Sequence, residues 1–232
     1  MTTIKPALDI AARAAIASRT EALFRSSGAF REGHFLLKSG RHGDAYVEKF
    51  HVLSDPAATS ELCGYWAAHV RDHAGTPMVD LVAGPTTGGV LLAFETARQL
   101  GVRSIFAEEV TTADGTTHRE FRRGFHIDRG ERVLLVDDIL TTGGSLLAML
   151  PAVEAMGGDI LECVVLVDRS GGRATLISPR TGRTYPLRSL WQLDLPTYKP
   201  GAATCPRCAD GTPVYAPGST GTTASAGGPG AA

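Results

Sequence analysis

From Val79 onward the chain alternates between short, continuous apolar runs and longer segments whose apolar positions recur at helical spacing. "VDLVAG", "VRSIFAEEV", "RVLLVDD" and "ILECVVLVDRS" are of the first kind and predict strands. "VLLAFETARQLG", which ends in glycine, and "SLLAMLPAVEAMGG" are of the second kind and predict helices. Strands that are apolar on both sides and separated by helices predict a parallel sheet covered on both faces, an α/β fold. Pro151 stands inside the second helix, where it is expected to kink or break it at a cost of about 3 kcal/mol unless accommodated.

The first third reads differently. Residues 7–27 have amphipathic spacing and predict a helix with Ile10, Ile16, Leu23 and Phe24 turned inward. "HFLLKSGRHGDAYVEKF" predicts a β-hairpin, because "SGRHG" supplies turn residues between two strand-like halves. After "SDPAAT" a further helix is expected, with Pro56 near its start where a missing N–H costs least. "TTADGTTHREFRRGF" is polar and reads as a loop, too long for a simple connector. Residues 218–232 carry no large apolar side chain and are expected to be disordered.

Composition changes this picture little. With 43% hydrophobic and 20% charged residues, the 232-residue chain can bury an ordinary core. A formal net charge of −1 argues against attraction to nucleic acid or an anionic membrane, though not against a local basic pocket. No segment has the roughly 20 apolar residues of a membrane span. The opening residues lack the apolar core of an export signal, so a cytoplasmic location with reduced thiols is expected. Cys205 and Cys208 form a CxxC pair, but a structural zinc needs four ligands and the histidines are scattered. No protein metal site is expected.

The chemistry gathers in "VLLVDDILTTGGS", Val133 to Ser145. In an open parallel sheet ligands bind beyond the carboxyl ends of the strands, and Asp137 and Asp138 fall where this strand should end. The following glycines and hydroxyls open a helix, whose free N–H groups make a phosphate seat. It is not a Walker loop, since no Gly-Lys-Ser/Thr is present. A phosphate seat beside two carboxylates suits a sugar phosphate, the carboxylates taking vicinal hydroxyls.

This stretch resembles the phosphoribosyl-pyrophosphate signature of type I phosphoribosyltransferases. The resemblance implies that Asp137 and Asp138 hold the ribose hydroxyls and that Ile139, Leu140, Thr141, Thr142, Gly143, Gly144 and Ser145 complete the ribose 5-phosphate site. It implies the type I fold, a parallel five-stranded sheet flanked by helices with a small N-terminal hood. "AGPTTGG" is similar to the family's pyrophosphate loop, which assigns pyrophosphate to Gly84, Thr86, Thr87, Gly88 and Gly89. "GHFLLKSGRHGDAYVEKF" is similar to the hood hairpin of the orotate phosphoribosyltransferases. That likeness puts Lys38, Ser39 and Gly40 beside the base, with Tyr46 and Lys49 in support. A lysine and free N–H groups suit a planar carboxylate such as orotate.

"FAEEVTTADGTTHREFRRGF" resembles the family's mobile loop, which closes over an active site, usually the partner's in a homodimer. Arg122 and Arg123 are then the residues expected to neutralise pyrophosphate, with His118 and Arg119 as weaker candidates. "PTYKPGAATCPRCADGTPVYAPGS" also occurs in similar form in that branch. The implied reaction transfers phosphoribosyl to orotate, with Mg²⁺ carried mainly by the substrate. The implied layout is a helix and hood over residues 1–55, a core over 56–190, an extension over 191–217 and a tail.

The chain departs from the pattern at Thr87, where many orotate enzymes carry lysine, and at Gly43, where serine is usual. The mobile loop has "EEV" and "THREF" where its branch commonly shows further basic or apolar residues. These differences leave open a transferase for another base; a non-catalytic regulator that senses phosphoribosyl pyrophosphate is a separate alternative from a different class.

Overall fold

A computed structural model describes residues 10–37 and 39–217, so Lys38 and the expected tail lie outside the described residues. In chain order the elements are α1 (Ile10–Ser26), β1 (Phe30–Leu36), β2 (His42–Val47), α2 (Lys49–Leu53), α3 (Pro56–His69), β3 (Leu81–Pro85), α4 (Gly88–Leu100) and β4 (Arg103–Thr111). They continue with β5 (Thr117–Glu120), β6 (Arg132–Leu140), α5 (Gly144–Met156), β7 (Asp159–Asp168), β8 (Thr175–Ile177), β9 (Thr184–Gln192), β10 (Thr197–Tyr198) and α6 (Pro206–Ala209). The chain divides into two units. The larger takes residues up to Ala29 with Glu48–Asp194; the smaller takes Phe30–Val47 with the chain from Leu195 onward.

The larger unit is built on a seven-stranded sheet in the order β5-β4-β3-β6-β7-β9-β8. The central five, β4-β3-β6-β7-β9, run parallel. They are the five strands the type I fold requires. Antiparallel β5 and β8 extend the sheet at its two edges. Val133, Leu134, Leu135 and Val136 of β6 are each 0% exposed, as a strand covered on both faces must be. Successive side chains point to opposite faces. Leu81, Val133, Leu135, Cys163 and Val165 therefore share one core with Leu146, Met149, Leu150 and Val153 of α5. Leu134 and Val136 face the other side.

Three local expectations change. The polar segment after β4 folds back as a hairpin, pairing Glu108 with Glu120 and Thr111 with Thr117. Strand pairing between distant polar residues leaves no apolar alternation to read. Pro151 is accommodated, because α5 runs through it to Met156 without a break. On α1, Leu23 and Phe24 are buried, and the Phe24 ring meets Trp191 edge-on at 5.8 Å. Ile10, by contrast, is exposed and is not an inward residue. The burial of this helix is confined to its C-terminal half.

In the smaller unit β1-β2-β10 form a three-stranded antiparallel sheet. The C-terminal segment adds to the hairpin edge, with Leu36 and Tyr215 joined by a 2.9 Å backbone hydrogen bond. Phe35 packs against Tyr46 and Tyr215 at ring separations of 5.6 and 6.1 Å.

Candidate active site

β6 carries both aspartates past the apolar run and continues to Leu140, so they lie within the strand's last turns of pairing rather than beyond it. Both are nearly buried. The cost of two adjacent carboxylates is met by local donors. The Asp137 carboxylate accepts the N–H of Asp138 at 2.9 Å, and the Asp138 carboxylate accepts that of Ile139 at 2.7 Å. Lys49, the first residue of α2, places its ammonium 2.9 and 2.7 Å from the two oxygens of Asp138. The two acids are therefore unequal. Asp138 holds an ion pair, whereas burial first and the neighbouring Asp138 charge second raise the pKa of Asp137 above the usual carboxylate range.

After Leu140 the chain turns at Thr141 and Thr142, both exposed, and enters α5 through Gly143 at φ 85°. No side chain caps this helix. Its first N–H groups, at Gly144 and Ser145, therefore lack a capping acceptor where the helix dipole is positive. Arg173, from the segment after β7, donates to the Thr142 carbonyl at 3.0 Å and brings a permanent positive charge to the turn.

The second loop is built from β3 and α4. α4 begins after Thr87, again without a side-chain cap. The Thr86–Thr87 peptide is cis. Gly88 is required by contact: a Cβ there would lie 2.1 Å from Asp138 Oδ2. At Gly84 a Cβ would come 2.3 Å from the Gly89 carbonyl oxygen, so strand end and helix start touch backbone to backbone. The pyrophosphate-type loop and the carboxylate pair thus form one continuous surface. Arg119 on β5 joins it, donating to Thr86 Oγ1 at 3.0 Å with its own side chain 8% exposed.

Residues 55–180 match the family model of the phosphoribosyl transferase domain. The orotate phosphoribosyltransferase of Caldicellulosiruptor bescii is 40% identical over 197 residues, 85% of this chain and 94% of the relative. The chain belongs to the orotate phosphoribosyltransferase family. The Chlorobaculum parvum orotate phosphoribosyltransferase is 41% identical over 202 residues, covering 87% of this chain and 95% of that one. Among solved structures, the orotate phosphoribosyltransferase of Aeropyrum pernix superposes with a TM-score of 0.57 at 25% identity, over 74% of this chain and 92% of that one. An adenine phosphoribosyltransferase from Leishmania tarentolae reaches 0.53 at 19%, over 75% and 87%, which speaks for the fold alone. The fold is shared across bases; the sequence likeness is to the orotate branch.

Within that family frame the residues singled out from sequence fall into groups. Asp137, Asp138, Thr141 to Ser145, and Gly84 to Gly89 come together in the larger unit. Lys49, read as a supporting residue for the base, forms an ion pair with Asp138. Arg122 and Arg123 are exposed and pair with Glu120 at 2.9 Å and Glu108 at 2.5 Å. Arg119, the weaker candidate, is the arginine of the three that reaches the pyrophosphate-type loop. Ser39 and Gly40 sit exposed in the β1–β2 turn. Arg173 carried no sequence signal, since its partner is a backbone carbonyl 31 positions away.

Proposed function

We propose that the chain transfers the phosphoribosyl group of phosphoribosyl pyrophosphate to orotate, giving orotidine 5'-monophosphate and pyrophosphate in UMP biosynthesis. The observation that carries this reading is the abutment of Gly88 on Asp138, which joins a sugar site and a pyrophosphate loop. The 40% identity to curated orotate enzymes supplies the base.

Departure of pyrophosphate builds positive charge at the anomeric carbon. The chain meets this with donors on one side and carboxylates on the other. The N–H groups that open α4, together with Arg119, take the pyrophosphate. Asp138 and Asp137 take the ribose hydroxyls and lend negative charge to the ring. The free N–H groups of α5, with the hydroxyls of Thr141, Thr142 and Ser145, take the 5-phosphate. Arg122 and Arg123 are proposed to add to pyrophosphate neutralisation once the hairpin closes. No covalent nucleophile is needed. Hard oxygen donors such as the two aspartates fit Mg²⁺, which when bound neutralises the polyphosphate. The Lys49 pairing of Asp138 supports a cation held mainly by the substrate. Lys38, Ser39 and Gly40 are proposed as base contacts, and a cytoplasmic homodimer as the working form. Among the described residues no helix is long and apolar enough to cross a membrane.

The test is pyrophosphate release with phosphoribosyl pyrophosphate, Mg²⁺ and one base at a time. Release with orotate is expected. Release only with a purine, or with uracil, overturns the base assignment. Binding of phosphoribosyl pyrophosphate without turnover on any base overturns the enzymatic reading.

A further inference from the structure

Two histidines and two cysteines of the smaller unit, distant in sequence, converge on one point. His34 lies on β1 and His42 on β2; Cys205 immediately precedes α6 and Cys208 lies within it. One donor atom from each side chain lies within 4.8 Å of all the others. His34 Nε2 is 2.7 Å from His42 Nδ1, 3.5 Å from Cys205 Sγ and 3.6 Å from Cys208 Sγ. Cys208 Sγ is 3.2 Å from His42 Nδ1. His34, His42 and Cys205 are buried, and none of the four thiols of the chain is in a disulfide.

We propose that these four residues form a structural zinc site. Zinc bonds of roughly 2.0–2.1 Å to nitrogen and 2.3 Å to sulfur make tetrahedral edges of about 3.3–3.8 Å. Three of the four separations given lie near that range, the nitrogen pair needs to open by about 0.6 Å, and the two remaining edges, both from Cys205, lie within 4.8 Å. Two thiolates and two neutral imidazoles make a neutral complex with Zn²⁺, which suits a buried position.

The surroundings prepare the ligands. His34 Nδ1 lies 2.7 Å from the Thr212 carbonyl oxygen, which can only accept. Nδ1 therefore carries the proton, and the lone pair of Nε2 faces the cluster. This is the outer-shell support usual for a metal-bound histidine. The strand register also shifts between Glu32 and Phe35, around His34. Such a bulge re-aims a side chain relative to simple alternation. The CxxC pair supplies two ligands from one short turn, and the hairpin supplies the other two.

The physical need is clear. Among the described residues the smaller unit rests on a three-stranded sheet with a two-residue β10, too little to bury a large core. A zinc tie between hairpin and C-terminal segment fixes the strand pairs Thr197–Gly43 and Tyr198–His42 at one end. The metal is remote in role from the transfer chemistry and needs no redox step.

The test uses full-length protein purified without chelators or a metal-binding tag. Elemental analysis is expected to give about one zinc per chain, falling at least tenfold in Cys205→Ser with Cys208→Ser and in His34→Gln with His42→Gln. Because these variants can misfold, wild-type protein reloaded with cobalt(II) supplies an independent readout. It is expected to show the visible bands of a tetrahedral ion and a thiolate charge-transfer band. Zinc-free protein that stays zinc-free when offered the metal under reducing conditions overturns the proposal. So does unchanged zinc in either folded variant, or a cobalt spectrum without the thiolate band.

Discussion

Helices of the larger unit begin in two different ways. α3 starts on Asp55, whose carboxylate accepts the N–H groups of Ala57 at 2.9 Å and Ala58 at 3.2 Å. α2 starts on Glu48, which accepts from Phe50. Those ends carry side-chain acceptors of their own. α4 and α5 start on Thr87 and Gly143 with no side chain closing them. A polar cap is worth about 1 kcal/mol, and both helices forgo it beside the aspartates. The contrast separates helix ends that serve the fold from helix ends held open for an anion. Changes at the open ends and their carboxylates should damage turnover, while changes at the closed ends should damage stability alone.

The hardest attempt to break this contrast is Asp137→Asn with Asp138→Asn. Turnover should fall by roughly a thousandfold or more, since charge that faces the developing cation is lost. Far-ultraviolet circular dichroism should stay native. Near-normal kcat/KM in a folded double variant would sink the assignment of the pair.

Gly88→Ala comes next. Its Cβ would meet Asp138 Oδ2 at 2.1 Å, so the carboxylate or the loop must move. A displacement of that size is expected to cost about a hundredfold in kcat/KM. Measured melting should shift by only a few degrees, as the clash falls at a site edge. An active Gly88→Ala enzyme would show that loop and carboxylate need not touch.

Arg119→Met should lower kcat/KM by roughly tenfold to a hundredfold, through weaker pyrophosphate binding. Arg122→Met and Arg123→Met test the partition within the hairpin. If the exposed pair acts on hairpin closure, each should lower kcat with less effect on the KM for phosphoribosyl pyrophosphate. Equal KM effects at all three positions would erase the distinction drawn from Arg119 and Thr86.

What was legible from sequence follows chain distance. The ribose-phosphate segment is thirteen contiguous residues, and strand, turn and helix start follow one another within it. Periodicity likewise exposed four of the five parallel strands, β3, β4, β6 and β7, whose apolar runs are continuous; β9, with a mixed burial pattern, was implied only by the family's strand count. Contacts made across the fold were not legible. Lys49 and Asp138 are 89 positions apart, and Arg119 and Thr86 are 33 apart, so neither spacing advertises the pair. The Cys205–His34 contact spans 171 positions, and the scattered histidines met the CxxC pair only after folding. On α1 the spacing marked Ile10 as inward, yet the burial of the helix is confined to its other half.

The inequality of the two aspartates gives a pH signature independent of turnover. Asp137 has its pKa raised in the folded chain, by burial and by Asp138. Between the unfolded carboxyl value of about 3.9 and the raised folded value, the folded chain therefore holds more protons than the unfolded one. Stability must then fall as pH rises through the folded value. Asp137→Asn removes that titration. The unliganded variant should match wild-type melting at the acid end and exceed it toward neutral pH, in a series of scans across the range. Parallel curves for the two proteins would show that Asp137 is not held above its ordinary value.

The smallest effect tests the closed end. Asp55→Ala removes an acceptor for two N–H groups at the start of α3, at a cost of about 1 kcal/mol of stability. Nothing on α3's cap touches the carboxylate pair or either open helix end, so kcat and KM should stay within about twofold of wild type under conditions where the protein is fully folded. Placing the corresponding cap on α5, as Gly143→Asp, reverses the trade. A carboxylate there would satisfy the free N–H groups, yet it would occupy the phosphate seat and must adopt φ 85°. Stability gained by the cap is offset by that strain, while the KM for phosphoribosyl pyrophosphate rises. If Gly143→Asp leaves KM unchanged, the open end of α5 is not where the 5-phosphate sits, and the difference between the two kinds of helix start has no functional content.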